Sequence, residues 1–326
     1  MTITEQQRDE YEALTRRVGV VHLSDWTHVE ICGRDRARFL HGFCTNDIQR
    51  LAPGAGCEAF LTNAKGHVLG YVFVFCGESA LVIDTVPGQA ERIVSHLDRY
   101  VIREDVQVTD RTEQWAELLV GGAQAARLLG AAASAAPPQA ELAHVSADVA
   151  EWPAVMRRVG LIGAPAWTVV CDAAHGNDIL DRLAALGARR CSAESFEIAR
   201  VEAGSPLYGR DITEDNLPQE IGRDDRAISF RKGCYLGQET VARLDALGHV
   251  HRRLVLVRFL GQRVPVAGQE LTAAGRSAGR VTSVVWSPGF ASPLALAYVR
   301  TDAQRPGTRL EGAGGAAEVV AVPQRL

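Results

Sequence analysis

The feature that most constrains the fold is that the chain repeats itself. The segments HVEICGRDRARFLHG (28–42) and AELLVGGAQAARLLGA (116–131) both read as apolar strand, Gly turn and helix. Superposing Gly33 on Gly122, an offset of 89, sets Ala37 on Ala126, Arg38 on Arg127, Phe39 on Leu128 and Leu40 on Leu129. LVIDTVPGQAERIVSHL (81–97) and VVCDAAHGNDILDRLAAL (169–186) form a second pair, with Asp84 on Asp172 and Gly88 on Gly176 at an offset of 88. Two pairs at nearly one offset mark two similar halves, about 25–112 and 113–195.

Each half reads strand, helix, strands, helix and a closing strand. In the first, EAFLT and HVLGYVFVF are joined by the turn Asn63-Ala64-Lys65-Gly66, and VQVTD closes the unit. Strand runs with two interspersed helices predict an α+β fold, with ferredoxin-like, split βαβ halves. GAAASAAPPQAE, about 130–141, is a surface loop inside the second half. From 251 the pattern changes to short strands between Gly, Pro and Ser, as in RRLVLVRFLG and AGRVTSVVWSP. That predicts an all-β barrel over 251–326, after a larger unit 1–250 whose closing segment is 196–250.

Composition narrows the function. No apolar run reaches the roughly 18–20 residues of a membrane span, and the polar start MTITEQQRDEYEALTRR lacks the apolar stretch of a secretory signal. A cytoplasmic monomer with no membrane contact is expected. The seven cysteines form no CxxC pair, so neither a disulfide framework nor a close-spaced metal site is expected. Cys32, Cys76 and Cys171 sit in apolar runs and read as core residues. Of 35 basic residues only Lys65 and Lys232 are lysine, so those two sites are worth asking what a compact amine does there. From Arg252 onward ten Arg face four acids, against a net charge of −4 for the whole chain. The basic cluster at 249–253 permits contact with RNA, whereas the negative total and the absence of an aromatic-studded basic motif speak for an ordinary solvated surface.

The chemistry concentrates between Ile198 and Val250. This stretch holds Arg200-Val201-Glu202-Ala203-Gly204, Pro206-Leu207-Tyr208-Gly209, Arg226, and then Lys232-Gly233-Cys234-Tyr235-Leu236-Gly237-Gln238-Glu239. Gly233 and Gly237 bracket Cys234, and TVARL can continue as a helix. A neighbouring lysine and a helix start both favour a thiolate, with Gln238 and Glu239 as nearby hydrogen-bonding groups. The competing reading is a cysteine buried in a Gly-rich turn.

Residues 232–239 resemble the K-G-C-[YF]-x-G-Q-E signature of the YgfZ family at every position. FLHGFCTNDI (39–48), LTNAKGHVL (61–69), LDRYVIREDVQVTD (97–110) and RVEAGSPLYGRDI (200–212) are similar to the wider superfamily of the glycine-cleavage T-protein. The resemblance implies two ferredoxin-like halves and a C-terminal barrel around a central hole that binds tetrahydrofolate or a derivative. It implies that Glu202 holds the pterin, that Arg226 pairs with a carboxylate of the glutamate tail, and that Gly233, Tyr235, Gln238 and Glu239 belong to the cofactor site. Cys234 and Lys232 are then the catalytic candidates. Without the resemblance, Glu202 reads as an ion-pair partner of Arg200.

T-proteins carry an acidic pair in the strand where this chain has Gly70 and Tyr71, and this strand offers no acid nearby. Neither residue acts as a carboxylate base or stabilises an iminium-like cation. The resemblance therefore implies a folate-binding accessory protein that supports assembly or repair of iron–sulfur clusters, with client or assembly proteins as partners. The alternatives are a folate-dependent aminomethyl or methyl transferase, and a protein associated with tRNA modification. Whether the chain is an enzyme is left open by its residues.

Overall fold

The computed structural model describes residues 3–323 apart from 24 and 249, so position 249 of the basic cluster lies outside the described residues. The larger unit begins with α1 (Glu5–Arg16) and β1 (Gly19–His22). The first half follows as β2 (Thr27–Cys32), α2 (Arg36–His41), β3 (Ala55–Thr62), β4 (Val68–Cys76), β5 (Ala80–Thr85), α3 (Ala90–Asp98) and β6 (Gln107–Asp110). The second half is β7 (Trp115–Gly121), α4 (Ala125–Ala132), β8 (His144–Val149), β9 (Trp152–Val159), β10 (Ala166–Asp172), α5 (Gly176–Ala185) and β11 (Arg189–Cys191). Then come α6 (Ala193–Glu202), α7 (Asp224–Ala227) and α8 (Gln238–Leu247). The chain closes with β12 (Arg252–Phe259), β13 (Glu270–Ala273), β14 (Arg276–Ser287), β15 (Ser292–Arg300), β16 (Arg309–Gly312) and β17 (Gly315–Val320).

The repeat is real in three dimensions. The first sheet has the order β3-β4-β5-β2-β6 and the second β8-β9-β10-β7-β1-β11, the same order with β1 inserted. Each half is thus the ferredoxin-like plan with one extra strand at the sheet edge, β3 in the first and β8 in the second. The turn glycines correspond as well: Gly33 and Gly122 have φ of 102° and 118°. A Cβ at Gly33 would lie 2.0 Å from Asp105 O, and at Gly122 2.5 Å from Arg17 O, so neither site admits a side chain.

The structure departs from the expected boundaries in two places. β1 lies ahead of residue 25, yet it pairs antiparallel with β7 and parallel with β11, so the second half's sheet recruits it. The expected loop at 130–141 begins inside α4, whose alanine-rich turn continues to Ala132 because Ala is the best helix former.

Strand alternation sorts the apolar residues. On β4, Val72 and Val74 pack under the helices with Phe39, Leu40, Ile93 and Leu97. Tyr71, Phe73 and Phe75 point the other way, into a cluster shared with Leu119, Val159 and Ala166 of the second half. The two sheets therefore meet across one apolar seam, each keeping its helices on its far face. Residues 252–320 form a closed six-stranded barrel, β12-β15-β14-β13-β16-β17, around Val257, Phe259, Val281, Ala297 and Val319. Closure removes the exposed strand edges that so short a set of strands would otherwise present. No helix among the described residues is long and apolar enough to cross a membrane.

Candidate functional site

The segment 232–237 runs along the first half and is pinned at several points. Lys232 is buried, and its ammonium donates to the carbonyls of His41 (2.6 Å), Cys44 (2.6 Å) and Asn46 (2.9 Å). Leu236 N donates to Gly42 O (2.9 Å), and Thr62 Oγ1 donates to Leu236 O (2.6 Å). Gly237 has φ of 82°, and a Cβ there would lie 2.3 Å from Asn63 O in the turn joining β3 and β4. Lys232 and Gly237 are therefore anchors, and the residues between them form the displayed part.

Cys234 is in that displayed part and is the one exposed cysteine of the seven. The other six thiols are all held above the ordinary range, burial being the largest cause in each case; Cys44 and Cys171 are pushed up to about 11. The geometry differs from the expectation in one respect. All three protons of Lys232 go to backbone carbonyls, and its charge lies 4.7 Å from the Tyr235 ring, so Lys232 serves as a clamp and not as the thiol's counter-ion. An ammonium suits three converging carbonyls where a planar guanidinium does not. α8 begins at Gln238, with Gly237 as its left-handed N-cap, so Cys234 precedes the helix by a full turn. Tyr235 is buried, Gln238 Oε1 accepts from Tyr235 N (3.3 Å), and Gly233 and Glu239 are exposed.

Glu202 closes α6, where α1 and the barrel converge. It accepts from Tyr11 Oη (2.6 Å), from Gly289 N (3.1 Å) and from the Ser287 hydroxyl. It does not pair with Arg200. That guanidinium is fully buried and is taken by Asp211 (2.8 Å), Glu197, Ser205 O (3.0 Å) and Ser283 Oγ (2.7 Å).

Arg226 bridges the halves, reaching Glu58 on β3 (3.0 Å) and Glu141 in the loop before β8 (2.7 Å). Glu58 also accepts from Tyr71 Oη at 2.6 Å. The strand carrying Gly70 and Tyr71 has no acid, but its neighbour supplies one against the Tyr71 hydroxyl. Burial first, and then the Glu58 charge, hold the Tyr71 phenol well above its ordinary range. Sequence reasoning missed Glu58. The available signal was a lone acid inside the apolar run Cys57-Glu58-Ala59-Phe60.

The predicted residues do not all meet in one cavity. Ala203, Gly204, Arg223 and Arg226 line a 340 Å³ cavity beside the barrel strand β12. A larger cleft of 740 Å³ lies on another side of α6, among Trp26, Val86, Phe196, Tyr208, Arg210 and Trp286. The 232–239 segment lines neither cavity.

Residues 2–232 match the GCVT N-terminal domain, and residues 252–323 match the glycine cleavage T-protein C-terminal barrel domain. The chain is similar to an aminomethyltransferase of Rubrobacter xylanophilus, 29% identical over 294 residues, covering 89% of this chain and 78% of the relative. It is also similar to an aminomethyltransferase of Bacillus subtilis, 26% identical over 310 residues, covering 92% and 84%. The crystal structure of glycine cleavage system aminomethyltransferase T from Bartonella henselae shares the fold. Its TM-score is 0.86 at 22% identity, over 97% of this chain and 89% of that one.

Proposed function

We propose that this chain, which belongs to the glycine-cleavage T-protein family, binds a reduced folate and supports assembly or repair of iron–sulfur clusters in client enzymes through the thiol of Cys234. The observation that carries the reading is the display of that thiol. Cys234 alone among seven cysteines is exposed, on a segment whose flanks are fixed by Lys232 and Gly237. Positioned access of this kind suits a thiol that works on a partner protein. The client role itself is drawn from the sequence resemblance of residues 232–239.

The residues present fit a folate in part. Arg223 and Arg226, with Ala203 and Gly204, line the 340 Å³ cavity; Arg223 offers a cation to the carboxylates of a glutamate tail, while Arg226 is already held by Glu58 and Glu141 and would have to exchange one of them. Glu202 is less free: its two oxygens offer about four acceptor positions, and Tyr11, Ser287 and Gly289 fill three of them. One position remains, so a pterin edge that presents two N–H donors displaces one of these three. Titration of tetrahydrofolate against wild type, Arg226→Ala, Glu202→Ala and Trp286→Ala tests the seat. Weaker binding in Arg226→Ala supports the smaller cavity, and weaker binding in Glu202→Ala supports a pterin contact at Glu202. A loss confined to Trp286→Ala moves the ligand to the larger cleft, and no binding by any of the four proteins removes folate from the proposal.

Aminomethyl transfer to folate is the second reading. It is favoured by relatives named aminomethyltransferase and by Glu58, whose carboxylate lies 2.6 Å from Tyr71 Oη. Against it, the Glu58 carboxylate is already engaged, with Tyr71 and Arg226 occupying it from both sides. Turnover of an aminomethylated carrier protein with tetrahydrofolate separates the two readings. Transfer that disappears in Glu58→Gln establishes the second. Negligible transfer, with client iron–sulfur enzymes losing activity in a deletion strain and regaining it from wild type but not from Cys234→Ala, establishes the first.

A further inference from the structure

A polar cluster lies sealed in the seam between the halves, and none of its members lines either cavity. His28 on β2, Asp84 on β5, Glu117 on β7 and Arg157 on β9 are each at most 2% exposed. His28 Nδ1 is 3.1 Å from Asp84, His28 Nε2 is 3.7 Å from Glu117, and an Arg157 nitrogen is 3.1 Å from the other Asp84 oxygen. His28 and Asp84 are direct cross-strand partners, as are Arg157 and Thr168 on β10, so the backbone fixes the group. Trp115 flanks the His28 ring, and Phe75 lies under the Arg157 guanidinium at 4.4 Å.

Both His28 ring nitrogens, one Asp84 oxygen, both Glu117 oxygens, Arg157 Nε and Thr168 Oγ1 are buried without a well-formed hydrogen bond. So many unmet groups in one place call for a bound proton or an ion among them. Charge decides which. Arg157 cancels Asp84. His28 and Glu117 are then neutral together only when they hold one proton between them, as imidazolium with carboxylate or as imidazole with carboxylic acid. A divalent cation with neutral His28 and both carboxylates ionised would leave a net positive charge buried beside Arg157, which is costly. A proton on Glu117 also supplies a donor beside an Asp84 oxygen that lies within 4.8 Å of a Glu117 oxygen.

We propose that one proton shared by Glu117 and His28 locks the two halves together, and that the seam loosens when rising pH removes it. Burial first, and then the Asp84 charge, push Glu117 up to about 8. Burial opposes a charge on His28, but Asp84 and Glu117 outweigh it and raise the imidazole above its ordinary value. Asp84 is held low and stays ionised throughout. His144 on β8 is the remaining titratable group facing this cluster across Phe75; burial and Arg157 depress it to about 4, so it is neutral above pH 6.5. For Glu117 the folded value lies above the ordinary 4.5, so its contribution is fully present below 4.5 and is lost as pH rises to about 8.

Urea unfolding of the full chain from pH 6.5 to 8.5 tests this. The wild-type unfolding constant should rise by roughly tenfold per pH unit up to about 8 and then level off. Glu117→Gln, which fixes the protonated form, should remove most of that slope. Equal slopes for both proteins overturn the proposal. Should the variant fail to fold, the wild type decides alone: infrared and imidazole NMR signals must show Glu117 or His28 protonated at pH 7 and both deprotonated by pH 9.5. Absence of that transition, or a stoichiometric divalent ion in the purified protein, also overturns it.

Discussion

Replacing Lys232 tests how the motif works. The buried ammonium holds the carbonyls of His41, Cys44 and Asn46 at 2.6, 2.6 and 2.9 Å. Charge-assisted hydrogen bonds contribute about 1.5 kcal/mol or more each, and Lys232→Met removes three. The side chain is 8% exposed, so water can reach the freed carbonyls only in part. The expected loss is about 3 kcal/mol, well beyond an ordinary surface substitution. Lys232→Arg should not rescue, because a planar fork cannot direct protons at all three carbonyls and overpacking adds about 1–3 kcal/mol. Urea midpoints for the three proteins give the energies, and iodoacetamide rates at Cys234, taken well below each midpoint, report the loop. A large stability loss together with a disordered loop is the expected result. If Lys232→Met lies within about 0.5 kcal/mol of wild type while Cys234 alkylation slows severalfold, the amine activates the thiol and the clamp reading fails.

Two further outcomes follow from neighbouring geometry. Cys234→Ala should leave the urea midpoint within about 0.5 kcal/mol of wild type, as for an exposed side chain, and in wild type Cys234 should be alkylated before the other six cysteines; labelling only after denaturation would make it a packing residue. Glu10 should shape the acid limb of stability: burial favours its neutral form, but donors from Ser192, Gln6 and Ser195 outweigh that and hold it at about 2, below the ordinary 4.5. Its contribution is present above 4.5 and lost as pH falls toward 2, so Glu10→Gln should flatten stability between those values, and an unchanged acid limb in thermal melts would show that the Ser192–Ser195 cap does not depend on its charge.

The fold was legible because it is written in periodicities. The paired strand–Gly–helix segments gave both halves, and the short strands after 251 gave the barrel. β1 was not legible as part of the second sheet, since Gly19–His22 is only four residues and its partners are at 118–121 and 189–191. The anchors of the 232–239 segment were visible as a motif but not as contacts. A lysine next to a cysteine in sequence suggests a charge beside a thiol; only the path of residues 41–46 turns it into a carbonyl clamp. Glu58 was hidden because its partners, Tyr71 and Arg226, lie on another strand and 168 residues away.

The repeat also explains where chemistry is found. His28 and Glu117 stand at the same offset of 89 as Gly33 and Gly122, so the seam cluster places equivalent positions of the two halves face to face. Opposite His28 stands Asp84, whereas opposite Glu117 stands Val170, so only the first half brings an acid into the seam at that place; Asp172, two residues on, is exposed and caps a short turn through Ala174 N at 2.9 Å. With two identical copies, the seam would carry paired like groups, which buried charge forbids. Divergence at these positions is therefore a condition for joining the sheets. It converts a symmetric duplication into one asymmetric buried network, and the remaining imbalance is the single proton that the Glu117→Gln comparison measures.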